Sequence, residues 1–202
     1  MILKSQKGRG RKIHLLLDDE YRVTTDVDFW AENYIPDGTD VDDDEWEALF
    51  IKINYRKAFN KCADLLSRRS HSVKELKEKL LRTVDAKSAD MAIEKYIELG
   101  YLDDEEFARN YAEHLFKNKS YSVYQVKQEL FKKGIDARII SEIIEENEVD
   151  SAESIIKIIN KLYISKLKAE DGKDKVIAAL MRRGFSYSEI KEAFKRIEDE
   201  QI

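Results

Sequence analysis

The sequence has few of the residues that make covalent cross-links or unusual turns. Its 202 residues include one proline, seven glycines and one cysteine, whereas 38% of them are charged. The single cysteine, Cys62, cannot form an internal disulfide, and the three histidines, His14, His71 and His114, lack the spacing of a zinc site. The composition therefore favours long amphipathic helices and predicts an intracellular protein without a metal. We also expect a monomer that carries no cofactor.

Several functional classes also lack their usual signals. No run of about 18 or more apolar residues occurs, so no membrane-spanning helix is expected. The basic start, MILKSQKGRGRK, is followed by an apolar run too short for a signal peptide, which predicts a cytoplasmic location. No glycine-rich phosphate loop is present, and no nucleophile stands beside a base, so neither ATP binding nor catalytic residues are predicted. An enzyme would require the three histidines to converge with a carboxylate in one pocket.

The net charge of −5 comes from the N-terminal quarter of the chain. Residues 1–56 carry 8 Lys and Arg against 13 Asp and Glu, while residues 57–202 carry 28 of each sign. The larger part is neutral on average, which leaves room for a basic stripe on one of its faces.

The N-terminal region predicts a small hairpin and two helices. Ile13–Leu17 and Tyr21–Thr25 are rich in β-branched, aliphatic and aromatic residues, and the acidic tripeptide between them is suited to a turn. Asp26 is a candidate N-cap for a short helix that ends before Pro36. A further helix starts near Asp42 and runs, unbroken or kinked, into residues 58–67.

A pattern of apolar residues then recurs at a spacing of fifty. The three sets are Val73, Leu76, Leu80 and Leu81; Val123, Val126, Leu130 and Phe131; and Val176, Leu180 and Met181. Helix starts recur in the same register, with Ser72 and Ser122 as N-caps and Gly172 in the third copy. Gly134 and Gly184 stand where the second and third of these helices end. Amphipathic helices resemble one another in any protein, so the recurring caps and stops are the stronger sign of repetition.

Each of these helices lies between two others, which makes a three-helix unit of about fifty residues. Such units gain stability by stacking on their neighbours. The sequence therefore predicts an all-α fold with three tandem three-helix repeats in an elongated, curved, solenoid-like body, preceded by a small N-terminal β-hairpin and helix. The predicted boundaries are residues 1–56 for the acidic N-terminal part and 57–102, 103–149 and 150–202 for the repeats.

Basic residues recur with the same period and define a candidate binding surface. Two basic pairs precede Gly134 and Gly184, and Arg82 stands fifty residues before the first of them. One interpretation is that these residues only solvate helix faces; the other is a basic row that faces phosphates or an acidic protein groove. The residues assigned to this surface are Arg68, Arg69, Lys132, Lys133, Arg182 and Arg183. Tyr121 and Tyr124 could add aromatic contacts with a partner.

Two groups of residues resemble a known family. The first group is Gly100, Tyr101, Leu102, Asp103, Asp104, Phe107, Ala108, Arg109, Tyr111, Glu129, Leu130, Lys133, Gly134 and Ile135. The second is Leu66, Ser67, Arg68, Arg69, Ser70, His71, Ser72, Glu75, Leu76 and Leu80. Together they resemble the signatures of the bacterial recombination regulator RecX family across residues 58–145. The third repeat fits that family more loosely, and residues 1–57 are similar only to its longer members.

The resemblance implies an all-α body of three tandem repeats and a non-enzymatic function. It implies binding in the groove of the RecA recombinase filament, with inhibition or modulation of ATP hydrolysis, strand exchange and co-protease activity, and weak affinity for single- or double-stranded DNA. The alternative is a helical-repeat DNA-binding protein that acts independently of RecA. Within the signature, Gly100 is expected to end a helix, Tyr101 and Leu102 to pack, and Asp103 to cap the next helix rather than bind a metal.

Overall fold

The computed structural model describes residues 1–147 and 149–199. The chain divides into two compact units. The first unit contains Met1–Ser70 and Leu76–Tyr101, and the second contains His71–Glu75 and the described part of Leu102–Ile202. One helix, Val73–Leu80, therefore has its first residues in the second unit and its remaining residues in the first.

A four-stranded antiparallel sheet opens the first unit. Its strands are β1 (Ile2–Lys7), β2 (Lys12–Leu17), β3 (Glu20–Asp26) and β4 (Thr39–Asp40). Their spatial order is β3-β2-β1-β4. Leu3 pairs with Leu17 across β1 and β2, and Leu15 pairs with Val23 across β2 and β3. These four side chains are buried, so one face of the sheet forms part of the core.

The sheet is larger than the hairpin that the sequence predicts. β2 and β3 correspond to the two predicted strands, and Asp18 and Asp19 turn between them with φ of 50° and 68°. Such left-handed turns match the twist of hairpin strands. β1 and β4 are absent from the prediction because distant residues hold them in place. Ile2 N donates to Asp18 Oδ1 at 2.8 Å and Ser5 N to Asp37 Oδ1 at 2.7 Å, which a local pattern cannot reveal.

Two helices complete the N-terminal core. The first is α1 (Val27–Glu32), capped by Asp26, which accepts a hydrogen bond from Phe29 N at 2.8 Å. The second is α2 (Asp43–Leu66), a single helix of 24 residues that starts with a capping box between Asp42 and Glu45. This helix runs unbroken, which decides between the two alternatives left by the sequence. Its buried Leu49 and Ile53 join the buried face of the sheet in one cluster.

The rest of the first unit includes a helix that packs on α2. It contains most of α3 (Val73–Leu80) and all of α4 (Ala86–Glu98), and α4 contacts α2 along its length. Asp85 caps α4 through Ser88 N at 2.9 Å and accepts a hydrogen bond from Asn54 Nδ2 at 3.0 Å. Burial alone would raise the pKa of Asp85, but the hydrogen bonds from Ser88 and Asn54 outweigh it and lower the pKa. The start of α4 is thereby tied to the middle of α2.

The second unit contains two further three-helix groups. The first group is α5 (Asp104–Lys119), α6 (Val123–Lys132) and α7 (Ala137–Glu146). The second is α8 (Ser151–Ile158), α9 (Gly172–Arg182) and α10 (Tyr187–Asp199). Each group has its own buried apolar cluster. Between α8 and α9 the chain forms a π-helical turn at Ile159–Tyr163 and a 3-10 turn at Lys166–Lys168.

Gly172 differs from its predicted role as an N-cap. It is the first residue of α9, and a Cβ atom at this position would lie 2.0 Å from the carbonyl oxygen of Lys166. The glycine is therefore required by the close approach of the preceding 3-10 turn. The fold class is mostly helical with a small N-terminal sheet, and the solenoid-like shape and the repeat boundaries stay predictions.

Candidate functional site

A buried serine joins the start of α6 to the end of α9. The side chain of Ser122 donates a hydrogen bond to the carbonyl oxygen of Arg183 at 2.7 Å, and its Oγ accepts one from Gln125 N at 3.2 Å. Ser122 is the N-cap of α6, and Arg183 is the C-cap of α9. One hydroxyl thus satisfies an unpaired N–H at a helix start and an unpaired carbonyl at a helix end.

The same junction occurs at the other end of α6. Ser72 Oγ donates to the carbonyl oxygen of Lys133 at 2.8 Å and accepts from Glu75 N at 3.2 Å. Lys133 is the C-cap of α6. Within the second unit, the end of α9 therefore lies at the start of α6, and the end of α6 lies at the start of α3. Successive middle helices meet end to end through equivalent atoms.

Both junctions require a glycine after the C-cap. Gly134 and Gly184 have φ of 82° and 83°, in the left-handed region. A Cβ atom at Gly134 would lie 2.7 Å from Lys74 Cδ, and one at Gly184 would lie 2.7 Å from Tyr124 Cδ1. These glycines thus end their helices and also leave room for a side chain from the neighbouring helix.

Lys133 is part of the junction rather than of an open surface. Its Nζ is 2.5 Å from Glu75 Oε1 and 5.4 Å from the ring centroid of Tyr111. The two side chains of the ion pair are only 24% and 16% exposed. Burial raises the pKa of Tyr111, and the charge of Lys133 partly opposes that rise. Of the predicted binding residues, Lys133 is therefore the least available to a partner.

The other predicted basic residues lie at helix ends with more exposure. Lys132 has a side chain that is 66% exposed and pairs with Glu129 on its own helix at 2.7 Å. Arg182 is exposed and Arg183 is partly buried at the end of α9. Arg68 and Arg69 are exposed just after α2, in the first unit, where Arg68 lies 2.8 Å from Asp64. Lys132 and Arg182 thus occupy equivalent positions at the ends of α6 and α9.

Leu81, Phe131 and Met181, the last members of the three recurring apolar sets, are on the surface. Their exposed fractions are 46%, 68% and 51%, whereas the preceding leucines Leu80, Leu130 and Leu180 are fully buried. One residue further along a helix is a rotation of about 100°, which turns a side chain away from the core. The recurring apolar pattern therefore extends one residue past the buried face, which ends at Leu80, Leu130 and Leu180. Each exposed apolar residue is followed directly by a basic one.

The stretch from Gly100 to Asp104 has a structural role. Gly100, with φ of 72°, follows the end of α4, and Asp103 caps α5 by accepting hydrogen bonds from the N–H groups of Glu105 and Glu106. Leu102 is buried, as are Phe107 and Ala108 of α5. Tyr101 differs from its predicted packing, because it is 68% exposed although its backbone N–H bonds to Tyr96.

Asp104 has a second capping role that the sequence did not indicate. Its Oδ1 accepts a hydrogen bond from Val73 N at 2.8 Å, at the start of α3. Burial raises the pKa of Asp104, and the hydrogen bond from Val73 opposes that rise. The acidic start of α5 therefore contributes one carboxylate to its own helix and another to a different helix.

The three histidines lie on different elements of the fold, His14 on β2, His71 just before α3 and His114 on α5. Among residues 1–147 and 149–199, no group of three or more His, Cys, Asp or Glu side chains is arranged to hold a metal ion. His14 Nδ1 lies 2.7 Å from Thr24 Oγ1 on the sheet, and His114 Nδ1 lies 3.0 Å from the side-chain amide of Asn118 on α5. Within the described ranges, no helix is both long enough and apolar enough to span a bilayer.

Comparison with known proteins identifies the helical groups. Residues 58–95 match the family model of the first three-helix domain of RecX, and residues 103–144 match that of the second. The regulatory protein RecX of Bacillus subtilis (strain 168) is 30% identical over 207 residues, which cover 98% of this chain and 76% of the relative. The chain belongs to the RecX family. Its N-terminal sheet and third helical group lie within the alignment to this RecX relative.

Other relatives and two crystal structures agree with this assignment. The regulatory protein RecX of Chlorobium phaeobacteroides (strain BS1) is 34% identical over 145 residues, covering 70% of this chain and 94% of the relative. A crystal structure of regulatory protein RecX covers 96% of this chain and 97% of its own, with a TM-score of 0.67 and 21% identity. The crystal structure of RecX from Lactobacillus salivarius covers 72% of this chain and 97% of its own chain, with a TM-score of 0.63 and 23% identity. Both structures share the fold, and membership of the RecX family assigns the chain a regulatory role.

Proposed function

We propose that the protein binds the RecA recombinase filament and inhibits or modulates its ATP hydrolysis, strand exchange and co-protease activity. Membership of the RecX family supports a regulatory role, and the name of its relatives describes that role in general terms. The observation that carries the proposal is the pair of equivalent cations, Lys132 and Arg182, exposed at the ends of α6 and α9. Each of them ends a middle helix, and these two helices are held end to end by the Ser122 junction.

The electrostatics of this surface fit an acidic protein groove. Within the described part of the chain, Lys132 makes its ion pair with Glu129 on the same helix, which a partner carboxylate can replace without disturbing the buried junction. Positive charge at a helix end is also favourable for the helix itself, because it offsets the negative end of the helix dipole. Arg68 and Arg69 add two exposed cations in the first unit. Exposed charges of this kind mainly increase the rate of association and select the partner.

The direct test is ATP hydrolysis by RecA on single-stranded DNA. Hydrolysis should fall as the protein is added, and no change at several-fold excess over RecA would exclude the proposal. The Lys132→Glu, Arg182→Glu double variant should need roughly tenfold more protein for the same inhibition. The matched control is Lys117→Glu together with Lys157→Glu. These two exposed lysines lie on α5 and α8, also pair with glutamates on their own helices, and give the same change in net charge.

A second candidate is a helical-repeat DNA-binding protein that acts independently of RecA. It is supported by the same exposed cations, because Lys and Arg side chains neutralise phosphates regardless of sequence. Binding of labelled single- and double-stranded DNA at two salt concentrations separates the two candidates. Tight binding to DNA alone with steep salt dependence, together with unchanged RecA hydrolysis, would favour this candidate. Weak DNA binding together with strong inhibition would favour the filament.

A further inference from the structure

An apolar residue and a basic residue recur side by side on the surface of every helical group. The pairs are Leu81 and Arg82, Phe131 and Lys132, and Met181 and Arg182. All six residues are exposed. Large exposed apolar side chains are ordinary when scattered, but here each one is fifty residues from the next at the same point of its helical group. Repetition at equivalent positions points to a shared contact.

The surface of α6 extends this pattern along one side of the helix. Tyr124, Lys127 and Phe131 are spaced i, i+3 and i+7, which places them on one side of the helix, and all three are exposed. The ring of Tyr124 also lies against Gly184, just past the end of α9. The residues of this α6 strip are Tyr124, Lys127, Phe131, Lys132, Met181 and Arg182. It lies entirely within the second unit.

The identity of the apolar residues indicates what the strip contacts. The equivalent position holds leucine, phenylalanine and methionine in the three groups. Only an aromatic ring stacks well on a nucleic acid base, whereas all three side chains fill an apolar protein pocket. The cation that follows each of them fits a carboxylate at the rim of that pocket. The strip therefore fits an acidic-rimmed, apolar protein surface better than a nucleic acid strand.

The repetition also indicates the architecture of the partner. Seven residues of α6 separate Tyr124, whose ring lies against Gly184 just past the end of α9, from Phe131 at the other end of the strip. At 1.5 Å per residue this separation is about 10 Å. Two equivalent apolar anchors at the ends of successive middle helices match two equivalent pockets on the partner. A polymer of identical protein subunits supplies such pockets.

We propose that Phe131 and Met181 are apolar anchors that insert into equivalent acidic-rimmed pockets on a polymer of identical protein subunits. This inference rests on the proposed function, in which that polymer is the RecA filament. Lys132 and Arg182 orient the strip, and the two apolar side chains become buried on binding. Large side chains that are exposed in the free protein and fully buried in a complex commonly account for most of the binding energy.

Serine substitutions test the anchors without changing any charge. Phe131→Ser and Met181→Ser should each weaken binding to a RecA filament on single-stranded DNA by about tenfold, and the double variant by about a hundredfold. The matched control is Tyr187→Ser, which removes a side chain that is 59% exposed on α10, outside the strip. Thermal unfolding and circular dichroism of each variant should match the unsubstituted protein, because the replaced side chains are on the surface.

The outcomes separate this inference from the proposed function. If the unsubstituted protein neither binds nor inhibits the filament, the proposed function and the anchor inference both fail. If it inhibits but Phe131→Ser and Met181→Ser bind like the Tyr187→Ser control, the anchors are wrong and the proposed function stands. If the substitutions weaken binding to naked single-stranded DNA as much as binding to the filament, the two side chains contact DNA rather than a protein pocket, and the inference is wrong. Loss of filament binding with unchanged DNA binding supports the anchors.

Discussion

The hydroxyl of Ser122 is joined to the carbonyl oxygen of Arg183 by a hydrogen bond of 2.7 Å between residues 61 positions apart in the chain. Ser72 and Lys133, also 61 positions apart, are joined in the same way at 2.8 Å. In both cases the start of one middle helix satisfies the end of the next. A cap that is local in most helices is here also a long-range contact between helical groups.

Loss of this serine should cost more than loss of an ordinary helix cap. Ser122→Ala removes the cap of α6 and leaves the carbonyl of Arg183 without its serine donor, so the free energy of unfolding should fall by about 2–3 kcal/mol. Urea denaturation measures the change. The control is Ser141→Ala on the exposed side of α7, which should change the stability by no more than about 0.5 kcal/mol. Equal effects of the two substitutions would show that the junction contributes nothing beyond local capping.

The glycine after the junction should be more sensitive than a glycine in open space. Gly184→Ala combines a left-handed backbone with a Cβ atom that would lie 2.7 Å from the ring of Tyr124. Gly100→Ala has a similar φ of 72° but no atom within 4 Å. The left-handed backbone should lower the free energy of unfolding by about 1 kcal/mol in both variants. The overlap of the new Cβ atom with Tyr124 should lower it by about 1–3 kcal/mol more at Gly184. Chemical denaturation of both variants isolates the contribution of close packing.

Adjacent lysines at the end of α6 should have separable roles. Lys133→Glu places a second carboxylate beside the half-buried Glu75, so the free energy of unfolding should fall by about 1–2 kcal/mol. Adding Glu75→Lys restores an ion pair of reversed polarity and should recover much of this loss. Lys132→Glu loses only an exposed ion pair and a favourable helix-end charge, so it should lower the unfolding midpoint less than Lys133→Glu does, and it should weaken inhibition of RecA. An unfolding midpoint for Lys133→Glu equal to that of Lys132→Glu would contradict the structural role of Lys133.

The buried thiol of Cys62 should make stability fall in alkaline solution. Burial raises the pKa of Cys62 to about 11 from a value of 9.0. As pH rises above 9, the unfolded chain loses the thiol proton while the folded chain keeps it, so the unfolded state becomes relatively more favourable. The loss should reach about 2 kcal/mol at pH 11. Cys62→Ala should be less stable at pH 7 and lack this part of the pH dependence. If the free energy of unfolding falls with pH in parallel for the unsubstituted protein and Cys62→Ala, the prediction is contradicted.

The local features of the fold were predictable because neighbouring residues determine them. Asp103 and Ser122 start helices through hydrogen bonds that span two or three residues, and Gly134 ends one through its own backbone conformation. The hairpin between β2 and β3 depends on a two-residue turn. β1 and β4 were missed, because Ile2 and Leu3 of β1 pair with Asp40 and Thr39 of β4, which are distant in the chain.

The candidate site was only partly predictable for the same reason. The sequence determined that basic residues recur every fifty positions beside a recurring apolar stripe, but it carried that stripe one residue too far, to Leu81, Phe131 and Met181. Only the tertiary structure decided that Lys133 lies against Glu75 while Lys132 faces outward, and that Phe131 and Met181 are exposed. Helical periodicity places a residue on a face to within one position, or about 100°. Whether that face is covered depends on which other helix lies against it, and here a serine and a glycine from consecutive helical groups set that contact.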